Sequence, residues 1–412
     1  MNKIFKLLLV FIFITSCSLN KYSKFWNKEK LIIEVDSNKQ KILKKEEVIS
    51  LEFNQNLKIN ISTKLVNNNF SHNHNNNGRI NYNGKFENKS KYKFTKIKKF
   101  HQYEPEIIFN GDNIIFFDNR GTILNFDKDS KLIWKKNYYS KVEQKQNPIL
   151  FFASNKNFLI ITDTLSKFYM ISLSTGELLW SHKSTAPFNS QIKIYEDKFF
   201  TTDFENILRG YNIKNGKEIL NIKTENSLIR SQKKLSLVIV EKKIYFNNSL
   251  GDISSVEIDT GELIWQTPTQ SSQVFNESFF LKTSDIVADK RNLYFSNNKN
   301  EFFSLDIQTG IINWKQEINS NLRPVIISDY IFTVSKKGYL ITIEKETGNI
   351  IRINNIFSQL KRNKKKNIEP TGFIITTNNI YVTTSHGRLL EVDLATGKNK
   401  SIIKVDNNKI SK

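Results

Sequence analysis

Apolar residues gather along this chain in short runs, some alternating with polar positions and some continuous, each closed off by turn-forming residues. The stretch Asn113-Ile114-Ile115-Phe116-Phe117-Asp118-Asn119-Arg120-Gly121-Thr122-Ile123-Leu124 is one instance. Tyr330-Ile331-Phe332-Thr333-Val334, followed by Lys337-Gly338-Tyr339-Leu340, is another. An amphipathic helix would place apolar residues at i, i+3, i+4 and i+7; these runs instead have the length and period of strands. The pattern predicts an all-β protein.

From about residue 105 one unit recurs: a short apolar strand, a turn ending in Thr-Gly or Asn-Gly, and a second apolar strand that often carries Trp four residues after the Gly. Its copies begin with Asp127-Lys128-Asp129-Ser130-Lys131-Leu132-Ile133-Trp134, where Ser130 stands in for Gly, and continue with Ser174-Thr175-Gly176-Glu177-Leu178-Leu179-Trp180. Lys214-Asn215-Gly216-Lys217-Glu218-Ile219-Leu220 lacks the Trp, whereas Asp259-Thr260-Gly261-Glu262-Leu263-Ile264-Trp265 and Gln308-Thr309-Gly310-Ile311-Ile312-Asn313-Trp314 keep it. Glu346-Thr347-Gly348 and Ala395-Thr396-Gly397 close the series. Ser130 precedes Gly176 by 46 residues, and the later steps between glycines are 40, 45, 49, 38 and 49. That spacing is the period of a propeller blade, and each interval has room for four short strands. The predicted fold is a β-propeller of four-stranded blades.

The motif's chemistry is structural. Glycine reaches the positive φ of a tight turn without the steric cost of a Cβ, and Thr or Asp nearby can bond the local backbone. Asp127, Asp259, Asp306 and Asp393 recur near the turns, which fits turn capping rather than catalysis. One equivalent Trp per blade, at Trp134, Trp180, Trp265 and Trp314, points to packing repeated from blade to blade.

The N-terminus follows a different logic. Met1-Asn2-Lys3-Ile4-Phe5-Lys6 is basic, Leu7 to Ile14 is apolar, and Thr15-Ser16-Cys17 ends the run. This is the order of an export signal, and the run is far shorter than the ~20 residues that cross a bilayer. Ile14-Thr15-Ser16-Cys17 looks like a bacterial lipobox, so Cys17 is the expected lipidation site. As the chain's one cysteine it leaves no intrachain disulfide. Ser18 stands where inner-membrane retention calls for Asp, which favours the periplasmic face of the outer membrane. The domain reading is a lipoprotein signal peptide at 1–16, a lipidated cysteine and flexible tether at 17–50, an N-terminal segment with a ring-closing strand at 51–104, and propeller repeats at 105–412. Residues 67–79 are Asn-rich and carry His72 and His74, too few ligands to fill a metal's coordination sphere.

Lysine and arginine exceed aspartate and glutamate by 62 to 40, a net charge of +22. Lysine is spread through linkers and repeats alike, so the excess reads as general surface composition, and the export signal argues against nucleic acid as partner. The run Lys361-Arg362-Asn363-Lys364-Lys365-Lys366 reads as a solvated loop.

The Thr-Gly-x-x-x-Trp units resemble quinoprotein (PQQ-like) propeller repeats, over roughly three quarters of the chain. With the lipobox in front, the whole is similar to the BamB family of outer-membrane assembly lipoproteins. That resemblance implies an eight-bladed propeller, no catalysis and no cofactor. It also implies, as partner, a periplasmic domain of the BamA-type assembly protein. Seven Gly-centred outer strands are present, and Lys91-Tyr92-Lys93-Phe94-Thr95-Lys96-Ile97 is a candidate eighth. An eight-bladed ring is therefore expected, its last blade incomplete after the strand Ile402-Ile403-Lys404-Val405; a seven-bladed ring with one spare strand is the alternative. In the family a loop after the third blade's outer strand carries the Leu and Arg residues that dock on the partner. At the matching place this chain has Ser227-Leu228-Ile229-Arg230-Ser231, which makes Leu228, Ile229 and Arg230 the implied partner-binding residues. An aliphatic pair beside an arginine is also the composition of an interface anchor. The family's neighbouring loop offers carboxylates, but Val274-Phe275-Asn276-Glu277-Ser278-Phe279-Phe280 has only Glu277. The alternative functions are a lipoprotein that binds glycan or peptidoglycan and a PQQ-dependent dehydrogenase. The dehydrogenase needs convergent calcium ligands and a vicinal cysteine pair, and a single cysteine excludes the pair.

Overall fold

Two turns with backbone at positive φ shape every blade, and the fold follows from their repetition. In this computed structural model the described residues are 51–61, 107–110, 113–224, 233–269, 283–297, 300–360 and 367–405, all within the unit Glu47–Lys412. They form seven four-stranded antiparallel sheets, each built from four consecutive strands. We number these as blades 1 to 7, spanning residues 108–136, 150–183, 193–223, 237–267, 287–317, 325–355 and 370–404.

The first turn is the one legible in sequence. It joins the third strand of each blade to the fourth, outer strand. Gly176, Gly216, Gly261, Gly310, Gly348 and Gly397 adopt φ between +67° and +76°, and Ser130 adopts +64°. Each glycine's N–H donates to the carbonyl four residues back, as from Gly176 to Ser172 at 2.8 Å. One extra residue inside the hairpin shifts the register in all seven blades, the bulge that an αL residue introduces.

The second turn joins the second and third strands. Its fourth position again has positive φ, at Gly121, Ser166, Asn206, Gly251, Asn300, Gly338 and Gly387. Its first position caps the turn by side chain. Asp118, Asp163, Asp203 and Asn248 each accept two backbone N–H bonds, from the residues two and four further on.

Neighbouring blades are joined by apolar clusters. One runs through blades 1 to 3, and others join 3 to 4, 4 to 5, 5 to 6 and 6 to 7. The tryptophans lie over these joints. The indole N–H of Trp134, Trp180, Trp265 and Trp314 donates to the carbonyl of Leu173, Ile213, Ile307 and Lys345 in the next blade, at 2.9 to 3.3 Å. The Gly turn of that next blade sits against the ring: a Cβ on Gly176 would meet Trp134 and one on Gly348 would meet Trp314. These glycines are thus required twice, for φ and for close approach. Trp134 is buried, while the other three are half-buried caps rather than deep core.

The expectation of an eight-bladed ring with an incomplete last blade is corrected to its alternative: seven blades are present among the described residues. The physical reason is the place of the Gly turn. It always precedes the outer strand of its own blade, so residues 399–404, which include most of the run Ile402–Val405, complete blade 7 rather than stand before missing inner strands. The candidate ring-closing strand, Lys91 to Ile97, lies outside the described residues, as do His72 and His74.

Candidate partner-binding face

Because each blade is a simple up-and-down sheet, every connection from an outer strand to the next blade's inner strand emerges on one face, together with the second type of turn. Leu228, Ile229 and Arg230 belong to one such connection, residues 224–236, but fall outside the described residues, as does Cys17. What the structure places is the base of their loop. Thr224, just after the outer strand of blade 3, donates its hydroxyl to the Asn206 carbonyl at 3.0 Å. Asn206 in turn accepts the Ser249 N–H from blade 4 at 2.8 Å through its side chain. On the far side, Leu235 bonds to Asn189 and Gln191 at the entry to blade 3. Both ends of the loop are therefore held by buried polar contacts at the joint of blades 3 and 4.

The connection that contains Glu277 starts and ends beside it. Thr269 bonds to the Gly251 carbonyl at 2.7 Å, and Thr283 accepts from Lys233 at 3.4 Å and from Asn247 at 3.3 Å. Lys233 follows the first loop and Thr283 follows the second, so the two loops singled out in the sequence rise from adjacent footings.

Beneath this face lies a buried ion cluster that sequence reasoning missed. Arg209 is almost fully buried and donates to Asp203 at 2.6 Å, to Glu218 at 2.8 Å and to Thr185 at 2.9 Å. Asp203 therefore caps the turn that carries Asn206 with one oxygen and fixes Arg209 with the other. Its signal was present as the repeat Asp118, Asp163, Asp203, Asn248, but the variable fourth position of that turn concealed it.

A second cluster sits under the connection from blade 1 to blade 2. That connection contains helix α1, Lys141–Lys145, started by a capping box between Ser140 and Glu143. The hydroxyl of buried Tyr139 donates to the carboxylate of Asp163. Burial pushes Asp163 up to about 6, against the downward pull of the Tyr139 hydroxyl and of the Lys167 and Leu165 amides. The folded protein thus holds this proton more tightly than the unfolded chain. The resulting stability is present below about pH 4 and is lost as pH rises through 6, on the order of 3 kcal/mol. Asp163→Asn should flatten that dependence: Asn248 fills the equivalent place in blade 4 with the same two backbone bonds. Denaturant midpoints at pH 4 and pH 7 check this, and a parallel decline in parent and variant would contradict it.

The turn aspartates do what their position suggested in three cases. Asp127, Asp306 and Asp393 accept N–H bonds within their own turns, whereas Asp259 pairs with Lys198 and Lys242 on the surface. Among the described residues no group of three His, Cys, Asp or Glu side chains is placed to hold a metal ion.

The repeated Gly turn, the indole latch and the face of long connections define a propeller of seven four-stranded blades among the described residues. The family model described as outer membrane protein assembly factor BamB matches residues 106–354, more than half of the chain. The chain belongs to the BamB family. Among solved structures, BamB from Moraxella catarrhalis superposes with a TM-score of 0.59 at 14% identity, covering 74% of this chain and 88% of that one. The computationally designed Ika8 protein gives 0.58 at 11% identity with the same coverage. Sqt1 of Saccharomyces cerevisiae gives 0.55 at 8%, covering 73% of this chain and 84% of that one. These likenesses concern the fold, which proteins of different origin share. No curated protein matches the sequence.

Proposed function

We propose that this protein is a non-catalytic scaffold lipoprotein of the outer-membrane β-barrel assembly machinery. In this reading lipid on Cys17 holds it at the periplasmic face of the outer membrane, and the loop face of blades 3 and 4 docks on a periplasmic domain of the BamA-type component. The observation that carries it is the BamB family match through blade 6. It is supported by the adjacent footings of the connections containing Arg230 and Glu277, which lets one partner domain touch both. Leu228 and Ile229 supply the apolar anchor and Arg230 the directed, bidentate charge.

The test is recovery of partners. Full-length protein isolated from its native membrane in mild detergent should bring down an outer-membrane protein with repeated periplasmic domains. Arg230→Glu should reduce that recovery while leaving folding stability within about 0.5 kcal/mol, as for other loop charges. Recovery of glycan or of a bound quinone in place of such a protein would refute the proposal.

A further inference from the structure

Blade 6 lacks the tryptophan found in blades 1, 2, 4 and 5. Four residues after Gly348 the chain has Arg352, where Trp314 stands four residues after Gly310. Arg352 is fully buried. Its guanidinium donates to the Leu394 carbonyl of blade 7 at 3.2 Å and to the Ala395 carbonyl beside it. Leu394 holds, three residues before Gly397, the place from which Leu173, Ile213, Ile307 and Lys345 accept an indole N–H. Arg352 thus keeps the carbonyl contact of the latch but brings a charge in place of a broad apolar ring.

The rest of that latch comes from far away in the chain. Arg352 also donates to the Leu57 carbonyl at 2.9 Å. Leu57 belongs to a segment that crosses the rim from blade 6 to blade 7. Phe53 forms an antiparallel bridge with Ile353, with bonds of 3.1 and 2.9 Å. The Gln55 carbonyl accepts from the Asn354 side chain at 3.2 Å, and the Ile59 N–H donates to Ala395 at 2.9 Å. These bonds use the segment's main chain, and side chains add three more: Glu52 accepts the Asn355 N–H at 2.9 Å, Asn54 donates to the Ile351 carbonyl at 3.3 Å and Asn56 accepts from Lys398 at 3.0 Å. Little apolar surface is covered: Ile59 is buried, but Leu51, Phe53 and Leu57 are exposed.

We propose that residues 52–59 are a releasable strap, a segment that pairs with blade 6 at Phe53, turns at 54–57 with Asn54 at φ +43° and reaches blade 7 at Ile59, where with Arg352 it takes the place of the missing tryptophan. The site recognises a peptide that bridges to the outer strand of blade 6 at Phe53, turns at 54–57 and buries a branched aliphatic side chain at the position of Ile59. The strap is releasable because water can replace main-chain hydrogen bonds at a rim, whereas opening an indole joint exposes an aromatic face. Arg352 makes the strap's presence matter. Its acceptors are carbonyls, its Nε has no hydrogen-bond partner among the described residues, and losing the Leu57 carbonyl leaves a buried cation less well solvated. Coupling between the strap and a lipid at Cys17 rests on the reading proposed above; the strap itself does not.

The experiment is hydrogen exchange on the full-length chain, followed over residues 350–355 and 393–399. Ile59→Pro removes both the donor to Ala395 and the buried side chain. It should speed exchange there by roughly tenfold or more while leaving the outer strands of blades 1 to 4 unchanged, a local rather than global opening. A synthetic peptide of residues 51–61, added to the Ile59→Pro protein, should slow exchange again. In an Arg352→Trp background, which installs the latch of blades 1, 2, 4 and 5, Ile59→Pro should change exchange by less than about twofold. Unchanged exchange in Ile59→Pro, no rescue by the peptide, or equal acceleration in both backgrounds would each overturn the proposal. Cys17→Ala separates the two readings: it should alter membrane fractionation and leave these exchange rates as they are.

Discussion

Trp134→Ala is expected to cost roughly 3–5 kcal/mol of folding stability, the range for truncating a large buried aromatic. Trp134 is the most buried of the latch tryptophans at 9% exposure, it bonds to Leu173 of blade 2, and the Gly176 turn rests on its ring. Its loss opens a cavity at a joint and leaves a carbonyl without its donor. A companion pair of substitutions isolates the joint from the turn. Gly176→Ala and Gly261→Ala impose the same backbone strain, about 1 kcal/mol, since both glycines sit near φ +70°. They differ in what the new methyl meets: ring atoms of Trp134 at 2.9 Å in one case, and Leu220 and Ile222 at 3.3 and 3.4 Å in the other. Blade 3 has Leu220 where its neighbours have Trp, so its latch has room. Gly176→Ala should therefore be the more destabilising by urea denaturation, and equal effects would show that the ring contact contributes nothing.

Asp203→Ala is the second large effect, about 3–5 kcal/mol, because it removes the fully buried partner of Arg209, leaving only the half-exposed Glu218, and deletes a turn cap in the same step. Asp203 is fully buried and Arg209 nearly so, and the same carboxylate caps the turn that carries Asn206. Adding Arg209→Met should recover a large part of the loss, since the double variant has no stranded cation. A double variant as unstable as the sum of the singles would assign the whole effect to the turn cap. In the proposed docking both variants should also weaken partner binding, since Asn206 accepts from Thr224 at the foot of the connection that contains Arg230.

Much of this architecture could be read from the chain because the features that define it are restricted to particular residue types. A positive φ under a neighbouring ring admits almost only glycine, so the first turn recurs visibly, and indole is the side chain that caps a joint and donates a hydrogen bond together. The second turn was hidden, since its strained position is Gly, Ser or Asn in different blades and each tolerates αL well enough. The blade count slipped for a related reason. The Gly turn marks an outer strand, but nothing in the sequence says whether a blade ends or begins there. Arg352 looks like any surface cation until Leu57 and Leu394 are seen on either side of it. The strap left no pattern, because it has neither strand nor helix period: a single bridge at Phe53, a turn at 54–57 and polar contacts from Glu52, Asn54 and Asn56. For the partner-binding residues the reading is still that of the sequence, with the footings of their loops now located.

The most direct test of a BamB-type scaffold is a calorimetric titration of the mature chain with the periplasmic domains of the BamA-type protein from the same organism. Saturable binding that Arg230→Glu weakens at least tenfold, about 1.4 kcal/mol, with thermal stability unchanged, is the predicted result. Absence of binding, or binding indifferent to Arg230→Glu, would contradict the docking of that loop on this partner.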